Sequence, residues 1–378
     1  MLTESLNRRL DELAARGRAR SLKLSSGIDF SSNDYLGLSR HPAIIDAVRA
    51  ALERGVPVGS GGSRLLRGHH AEHEELEAAA ARFFGSESAL YFNSGFDANL
   101  ALLSTLPTRH DAVIHDELVH ASVKEGARAG FAKAYSAAHN DPRSFEEFLK
   151  RARDAGARDV FLVVESVYSM DGDRAPLADL LELARRHEAT LIVDEAHATG
   201  VFGPRGRGLA EGLPRDERLL TLHPCGKALG ASGALLAAPA AVTRFLIQAA
   251  RPFLFSTAAS PLLAAAVAKS LELVDADRER RKRLLFLSCR ARRAIKKSLS
   301  RWTVLGSRTQ IVPVVVGGDA EAVAAALFLQ ERGFDVRAVR PPTVPEGTAR
   351  LRISVNAGHS EEQLSALAAA LKDAEARG

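Results

Sequence analysis

Apolar runs alternate with amphipathic stretches from about residue 60 to residue 240. Ala89–Phe92, Ala112–His115, Val160–Glu165, Thr190–Asp194, Leu219–Leu222 and Ala234–Ala237 read as strands. Several are apolar without a break, as strands covered on both faces are. Helical spacing fills the intervals 70–84, 95–106, 144–155 and 176–188. Strand and helix in alternation predict an α/β fold, a mostly parallel central sheet with helices on both faces. Upstream, residues 3–20 read as an amphipathic helix with Leu6, Leu10 and Leu13 on one face. Ile28–Ser32 is extended, and His41-Pro42 opens a helix to about Arg54. Past residue 240 the pattern changes. A long helical stretch covers roughly 239–300. The strands Ile311–Val316 and Leu351–Val355 then alternate with helices at 319–332 and 360–376, which predicts a smaller α+β domain. The expected organisation is an N-terminal arm (1–40), a large domain (41–270) and a small C-terminal domain (271–378).

Polar residues recur just after the strands: Asn93-Ser94-Gly95, Asp116-Glu117, Glu165-Ser166, Asp194 and Lys227. In folds of this kind ligands sit at the carboxyl ends of the strands, so these positions point to one site assembled from distant sequence. Lys227 stands in the run His223-Pro224-Cys225-Gly226-Lys227-Ala228-Leu229-Gly230, where an apolar strand meets a small-residue turn. An isolated lysine, a strand-end Asp194 and His197 three residues on suit pyridoxal 5′-phosphate (PLP), whose aldehyde needs an amine and whose ring nitrogen needs an anion. A desolvated lysine also makes a competent base. Ser94-Gly95-Phe96 joins strand to helix, and free N–H groups at a helix start suit a phosphate. His197 can reach the ring oxygen, and His120 can stack on the ring. Each feature also has an ordinary reading. Asp194 could be a helix cap, each histidine a satisfied structural residue, and Gly95 a plain turn.

Composition narrows the classes without choosing among them. The chain has 378 residues, 46% hydrophobic and 26% charged, with formal net charge +5. That mild positive balance fits an anionic small substrate as well as nucleic acid, and no nucleic-acid partner is expected. Cys225 and Cys289 make no disulfide framework, which favours a reducing, cytoplasmic setting. No apolar run approaches the roughly 20 residues of a membrane span, so no membrane partner is expected. Gly59–Ser63 is glycine-rich but lacks the P-loop arrangement. His69-His70-Ala71-Glu72-His73 lacks the H-E-x-x-H spacing, and no metal is expected. The basic run from Arg278 to Lys297 reads as the solvated face of a long helix. A docking patch for an acidic acyl carrier is its sharper alternative.

Taken together, these residues resemble the α-oxoamine synthases, PLP enzymes of fold type I with an aspartate-aminotransferase-like architecture. The resemblance runs through Phe30-Ser31-Ser32-Asn33-Asp34-Tyr35-Leu36-Gly37-Leu38, Ser60–Arg64, Gly68-His69, Tyr168–Asp173 and Asp194–Gly200. It implies that Lys227 holds the PLP aldehyde and that Asp194 pairs the pyridine nitrogen. His197 and Ser169 contact the ring oxygen, His120 stacks on the ring, and Lys227 and His120 handle protons. Gly95 and Phe96 serve the phosphate, and Ser256 and Thr257 reach it from the other subunit of a homodimer. Arg20, Asn33, Thr343 and Arg352 contact substrate, with Arg352 gripping a carboxylate. The stretch Val339–Arg352 further implies decarboxylative condensation of L-alanine with a pimeloyl thioester, on CoA or a carrier protein, in biotin synthesis. A glycine-using member of the family, or a non-catalytic binding protein on the same fold, are the alternatives. The sequence departs from the family at Pro224, where a phosphate-binding Thr is usual. Either His223 or Thr221 substitutes for it, or one phosphate contact is missing. The stretch Leu22–Ile28 is also short for the family, which bears on Arg20.

Overall fold

The computed structural model describes residues 1–377. In chain order the elements are α1 (Leu2–Ala15), β1 (Ile28–Asp29), α2 (Pro42–Glu53), α3 (Ala71–Phe84), β2 (Ser88–Phe92), α4 (Gly95–Thr105), β3 (Ala112–Asp116), α5 (Ala121–Ala129), β4 (Lys133–Ala137), α6 (Pro142–Asp154), β5 (Val160–Glu165), α7 (Leu177–Arg186) and β6 (Thr190–Asp194). They continue with β7 (Leu219–Pro224), β8 (Ala234–Ala238), α8 (Ala240–Ala249), α9 (Arg251–Leu254), α10 (Pro261–Ala276), α11 (Arg278–Ser298), β9 (Thr303–Val304), β10 (Ile311–Gly317), α12 (Asp319–Glu331), β11 (Phe334–Asp335), β12 (Ala338–Val339), β13 (Ala349–Ser354) and α13 (Glu361–Glu375).

The chain divides into two compact units. The larger comprises Asp34–Ser169 and Arg174–Lys282, the smaller Met1–Asn33, Met170–Asp173 and the chain from Arg283 onward. In the larger unit seven strands form one sheet in the order β2-β8-β7-β6-β5-β3-β4. Neighbours from β7 through β4 pair parallel, and β8 runs antiparallel to both β2 and β7. The apolar runs read as doubly covered strands are so: β3 and β5 are buried along their whole length. Burying such Val, Ile and Leu side chains stabilises by about 1.5–3 kcal/mol each, so the central strands fix the frame on which the loops stand. In the smaller unit a four-stranded antiparallel sheet, β12-β13-β10-β9, is accompanied by α12 and α13, and β1 pairs with β11.

Three expectations are corrected. The helical stretch read over 239–300 is four helices. Pro239 precedes the first, Pro252 lies in the first turn of α9 and Pro261 starts α10, because proline is accepted at a helix start and not in its interior. The N-terminal helix stops at Ala15, before Gly17 at φ +64°, and none of its residues is buried. Leu6, Leu10 and Leu13 are exposed. Five elements went unread: the edge strand β4, the short helix α5 and the two-residue strands β9, β11 and β12. Among the described residues no helix is long and apolar enough to cross a membrane.

Candidate cofactor and substrate site

The parallel strands deliver their side chains at one edge of the sheet. Asp194 ends β6 and is almost fully buried. Its Oδ1 accepts the Ala196 N–H at 2.9 Å and its Oδ2 accepts the Asn99 side-chain amide at 2.9 Å. Asn99 reaches it from α4 and also donates to Ser122 Oγ at 3.0 Å. The Asn99 side-chain oxygen Oδ1 is buried with no hydrogen-bond partner. A buried, doubly held carboxylate of fixed orientation suits a cationic ring nitrogen.

Glu165 ends β5 directly beside Asp194 in the sheet register. Burial, and then the charge of Asp194, push its carboxyl up to about 8 against the pull of Lys227. Its Oε1 accepts the His120 N–H at 2.6 Å. His120 follows β3 and caps α5, taking the Ser122 N–H on Nδ1. Its imidazolium is disfavoured by burial, favoured by Asp194 and disfavoured by Lys227, which leaves it below the ordinary histidine value. Lys227, half-buried in the turn after β7, therefore shares one electrostatic neighbourhood with Asp194, Glu165 and His120. His197 is buried, its Nδ1 2.7 Å from the Tyr35 hydroxyl. Ser169 hydrogen-bonds Glu165 through its backbone N–H.

The start of α4 supplies an anion cradle. Ser94 caps the helix by accepting the Asp97 N–H at 3.0 Å, which leaves the Gly95 and Phe96 N–H groups without an acceptor in their own helix. A Cβ at Gly95 would come within 2.8 Å of Pro224 Cγ, so no other residue fits there. Ser256 and Thr257 line a small cleft with Asn93 and Asp97, and Asn93 donates to the Thr257 carbonyl at 2.9 Å. An aldehyde-bearing pyridine phosphate fits this donor set: a backbone cradle for the dianion, a buried carboxylate for the ring nitrogen and a lysine for the aldehyde.

One expectation at this site fails. His223 does not stand in for the missing phosphate hydroxyl. Its Nδ1 lies 2.8 Å from Thr199 Oγ1, its Nε2 lies 2.8 Å from Thr221 Oγ1, and its ring stacks on Phe84 with centroids 3.6 Å apart. Strand alternation is the cause: Thr221 and His223 share one face of β7, while Pro224 faces Gly95 on the other. The histidine cluster is likewise structural, since His73 bonds the Ala259 carbonyl and His69 lies between Arg64 and Glu74.

The four substrate candidates all belong to the smaller unit. Arg352 lies in β13, buried, donating to Ser354 Oγ at 2.9 Å. Thr343 is exposed and turns back to the Arg340 carbonyl at 3.1 Å. Asn33 is half-buried, and Arg20 is exposed in the irregular segment after α1. Asn99 and Tyr35 were not singled out from sequence as site residues, and Glu165 was placed at the site without a role. An acid closing an all-apolar strand and an amide on the buried face of a helix are the signals for Glu165 and Asn99.

Comparison with known proteins gives the family and the fold. The chain matches the class I and II aminotransferase family over residues 25–371. It is 46% identical over 350 residues to 8-amino-7-oxononanoate synthase of Aromatoleum aromaticum, covering 92% of this chain and 89% of that protein. It is 42% identical to the enzyme of that name from Herminiimonas arsenicoxydans, covering 99% and 100%. Among solved structures, serine palmitoyltransferase from S. paucimobilis, carrying PLP and myriocin, superposes with TM-score 0.90 at 28% identity over 99% of this chain and 97% of that one. An 8-amino-7-oxononanoate synthase from Francisella tularensis superposes with TM-score 0.76 at 27% identity, over 92% and 97%.

Proposed function

Since the chain belongs to the class I and II aminotransferase family and, within it, to the 8-amino-7-oxononanoate synthases, we propose that it joins L-alanine to a pimeloyl thioester. The product is 8-amino-7-oxononanoate, a precursor of biotin; the thiol and CO₂ leave, and one proton is taken up. The observation that carries this reading is the shared neighbourhood of Asp194, Glu165, His120 and Lys227 at the carboxyl edge of the sheet, beside the α4 cradle.

When bound, PLP supplies an electrophilic aldehyde and a ring that accepts the electron pair released at the alanine Cα. Lys227 would hold the aldehyde carbon through Nζ, and the same Nζ, when free, would serve as the base for the alanine Cα proton. Asp194 keeps the ring nitrogen protonated. Gly95 and Phe96 give N–H groups to the phosphate, joined by Ser256 and Thr257 of the second subunit of a homodimer. His197 and Ser169 hold the ring oxygen, and His120 covers the ring face. Arg352 grips a substrate carboxylate, with Arg20, Asn33 and Thr343 around the substrate. Glu165, raised by burial and then by Asp194, would add less negative charge beside the ring than an ordinary carboxylate. The enzyme works in the cytoplasm, in keeping with its two free cysteines.

The likeness to serine palmitoyltransferase supports a second reading, serine with a long acyl chain. Identity of 46% against 28% favours alanine and pimeloyl. CO₂ release from alanine, glycine and serine against acetyl-, pimeloyl- and palmitoyl-CoA separates the readings. Alanine with pimeloyl-CoA is expected to exceed every other pair. Lys227→Ala is expected to lose turnover by about 10³-fold or more. Turnover of alanine with pimeloyl-CoA that survives Lys227→Ala, or a preference for another pair, sinks the proposal.

A further inference from the structure

At the opposite end of the sheet from Lys227 the larger unit holds a second, open-mouthed cavity of about 690 Å³, within the usual size of small-molecule sites. It is walled by the segment Phe84–Glu87 ahead of β2 and by the loop ahead of β7. Its floor is the face of β7 turned away from Gly95. There the His223 ring stacks on Phe84, with both ring nitrogens occupied by threonine hydroxyls. Leu213, Leu219 and Ala237 add an apolar patch to a lining that is otherwise largely polar.

Two cations converge at the rim. A Cβ on Gly85 would stand 3.3 Å from Arg215 Nη2 and 3.5 Å from Arg207 Nη1, so the guanidiniums face each other across one glycine. Arg207 Nε is buried without a hydrogen bond, and Glu211 Oε1, 3.8 Å away, is beyond hydrogen-bond reach. Arg215 has no hydrogen-bond or ion-pair partner among the described residues. Of the four acids in the lining, three are engaged by neighbouring groups, and Glu217, exposed, lies 3.9 Å from Arg218. Glu211 accepts the Arg205 and Arg207 N–H groups, Asp216 pairs Arg185 at 2.6 Å, and Glu87 accepts the Ala240 N–H. Like charges held together with unused donors are unfavourable unless an anion bridges them.

We infer that this cavity is a second ligand site for a small organic carboxylate, its oxyanion held by Arg207 and Arg215 and its apolar body over Phe84 and His223. The site is separate from the condensation chemistry and does not depend on it.

Calorimetric titration of the PLP-loaded protein with octanoate, acetate and inorganic phosphate tests the inference. Octanoate is expected to bind once per chain, about tenfold or more tighter than acetate or phosphate. Arg215→Gln, at an exposed side chain, and Arg207→Gln are each expected to weaken octanoate about tenfold, with turnover at the wild-type level. Leu213→Trp, which crowds the apolar patch, is expected to abolish binding. Arg352→Lys is expected to leave it unchanged. No octanoate binding, unchanged affinity in Arg215→Gln, or loss in Arg352→Lys overturns the site. Phosphate or acetate binding as tightly as octanoate overturns the role of the apolar patch.

Discussion

The ends of β5 and β6 and the segment after α1 are built in opposite ways. At the strand ends, Asp194 is buried with both oxygens occupied, and Glu165 beside it takes two backbone N–H groups. In the N-terminal segment, Arg18 is tied to Asp319 and Glu346, yet beyond it Leu22 and Leu24 are fully exposed and Arg20 lies on the surface. The cofactor side is preorganised by its own chain. The Arg20 side is not: its side chains stand in solvent. Changes at the strand ends should therefore act on chemistry and changes near Arg20 on binding.

The largest effect is expected from Asp194→Asn. The amide keeps the shape and removes the charge opposite the ring nitrogen, so kcat should fall about 10²–10⁴-fold with far-UV circular dichroism unchanged. A variant within threefold of wild type, measured with saturating PLP, would contradict the assignment of Asp194 as the anion. Arg352→Lys sharpens the same contrast from the substrate side. Lysine keeps the charge and loses the bidentate fork, so KM should rise about 10–100-fold while the absorbance of bound PLP stays as it is. Should kcat fall instead with KM unmoved, Arg352 acts on the chemistry and the division fails.

Much of this contrast was legible in the residues. β5 and β6 were readable because each is an unbroken apolar run, and Lys227, Asp194 and Gly95 follow such runs. β4 was missed because Lys133–Ala137 is a sheet-edge strand, with three of its five residues exposed. α5 was missed because it packs through small residues: a Cβ on Gly126 would sit 2.8 Å from the Asn99 carbonyl. No apolar stripe announces such a helix. Glu165 was read only as a polar residue after a strand. Its raised pKa comes first from burial and then from Asp194, which the register places beside it and the sequence keeps 29 positions away.

A smaller effect concerns pH. His223 and His73 are held down to about 3 and about 4, in both cases first by burial. Their folded values lie below the unfolded 6.5, so the unfolded chain binds more protons as pH falls. Stability is present above 6.5 and is lost as pH drops from there toward 4 and 3, by up to about 1.4 kcal/mol per pH unit for each histidine. His223→Phe retains the stack on Phe84, and the fall in Tm between pH 6.5 and pH 4 should be shallower than in wild type. Parallel Tm curves would exclude His223 as a source of the acid sensitivity.

The smallest effect is expected at Pro224, where the two faces of β7 meet. Its ring packs on Gly95 at the mouth of the phosphate cradle, and proline has neither an N–H nor a side-chain donor. His223, the neighbour that sequence suggested as substitute, is turned to the other face and fully engaged. The cradle therefore relies on backbone N–H groups where a hydroxyl could add one more donor. Pro224→Thr restores it without lengthening the side chain. One added hydrogen bond to a charged phosphate contributes about 1.5 kcal/mol, so the Kd for PLP should fall roughly tenfold, with kcat at saturating PLP within twofold of wild type. Equal PLP affinity in the two proteins, read from the cofactor absorbance on dialysis, would mean that the backbone cradle already satisfies the phosphate and that the hydroxyl is dispensable here.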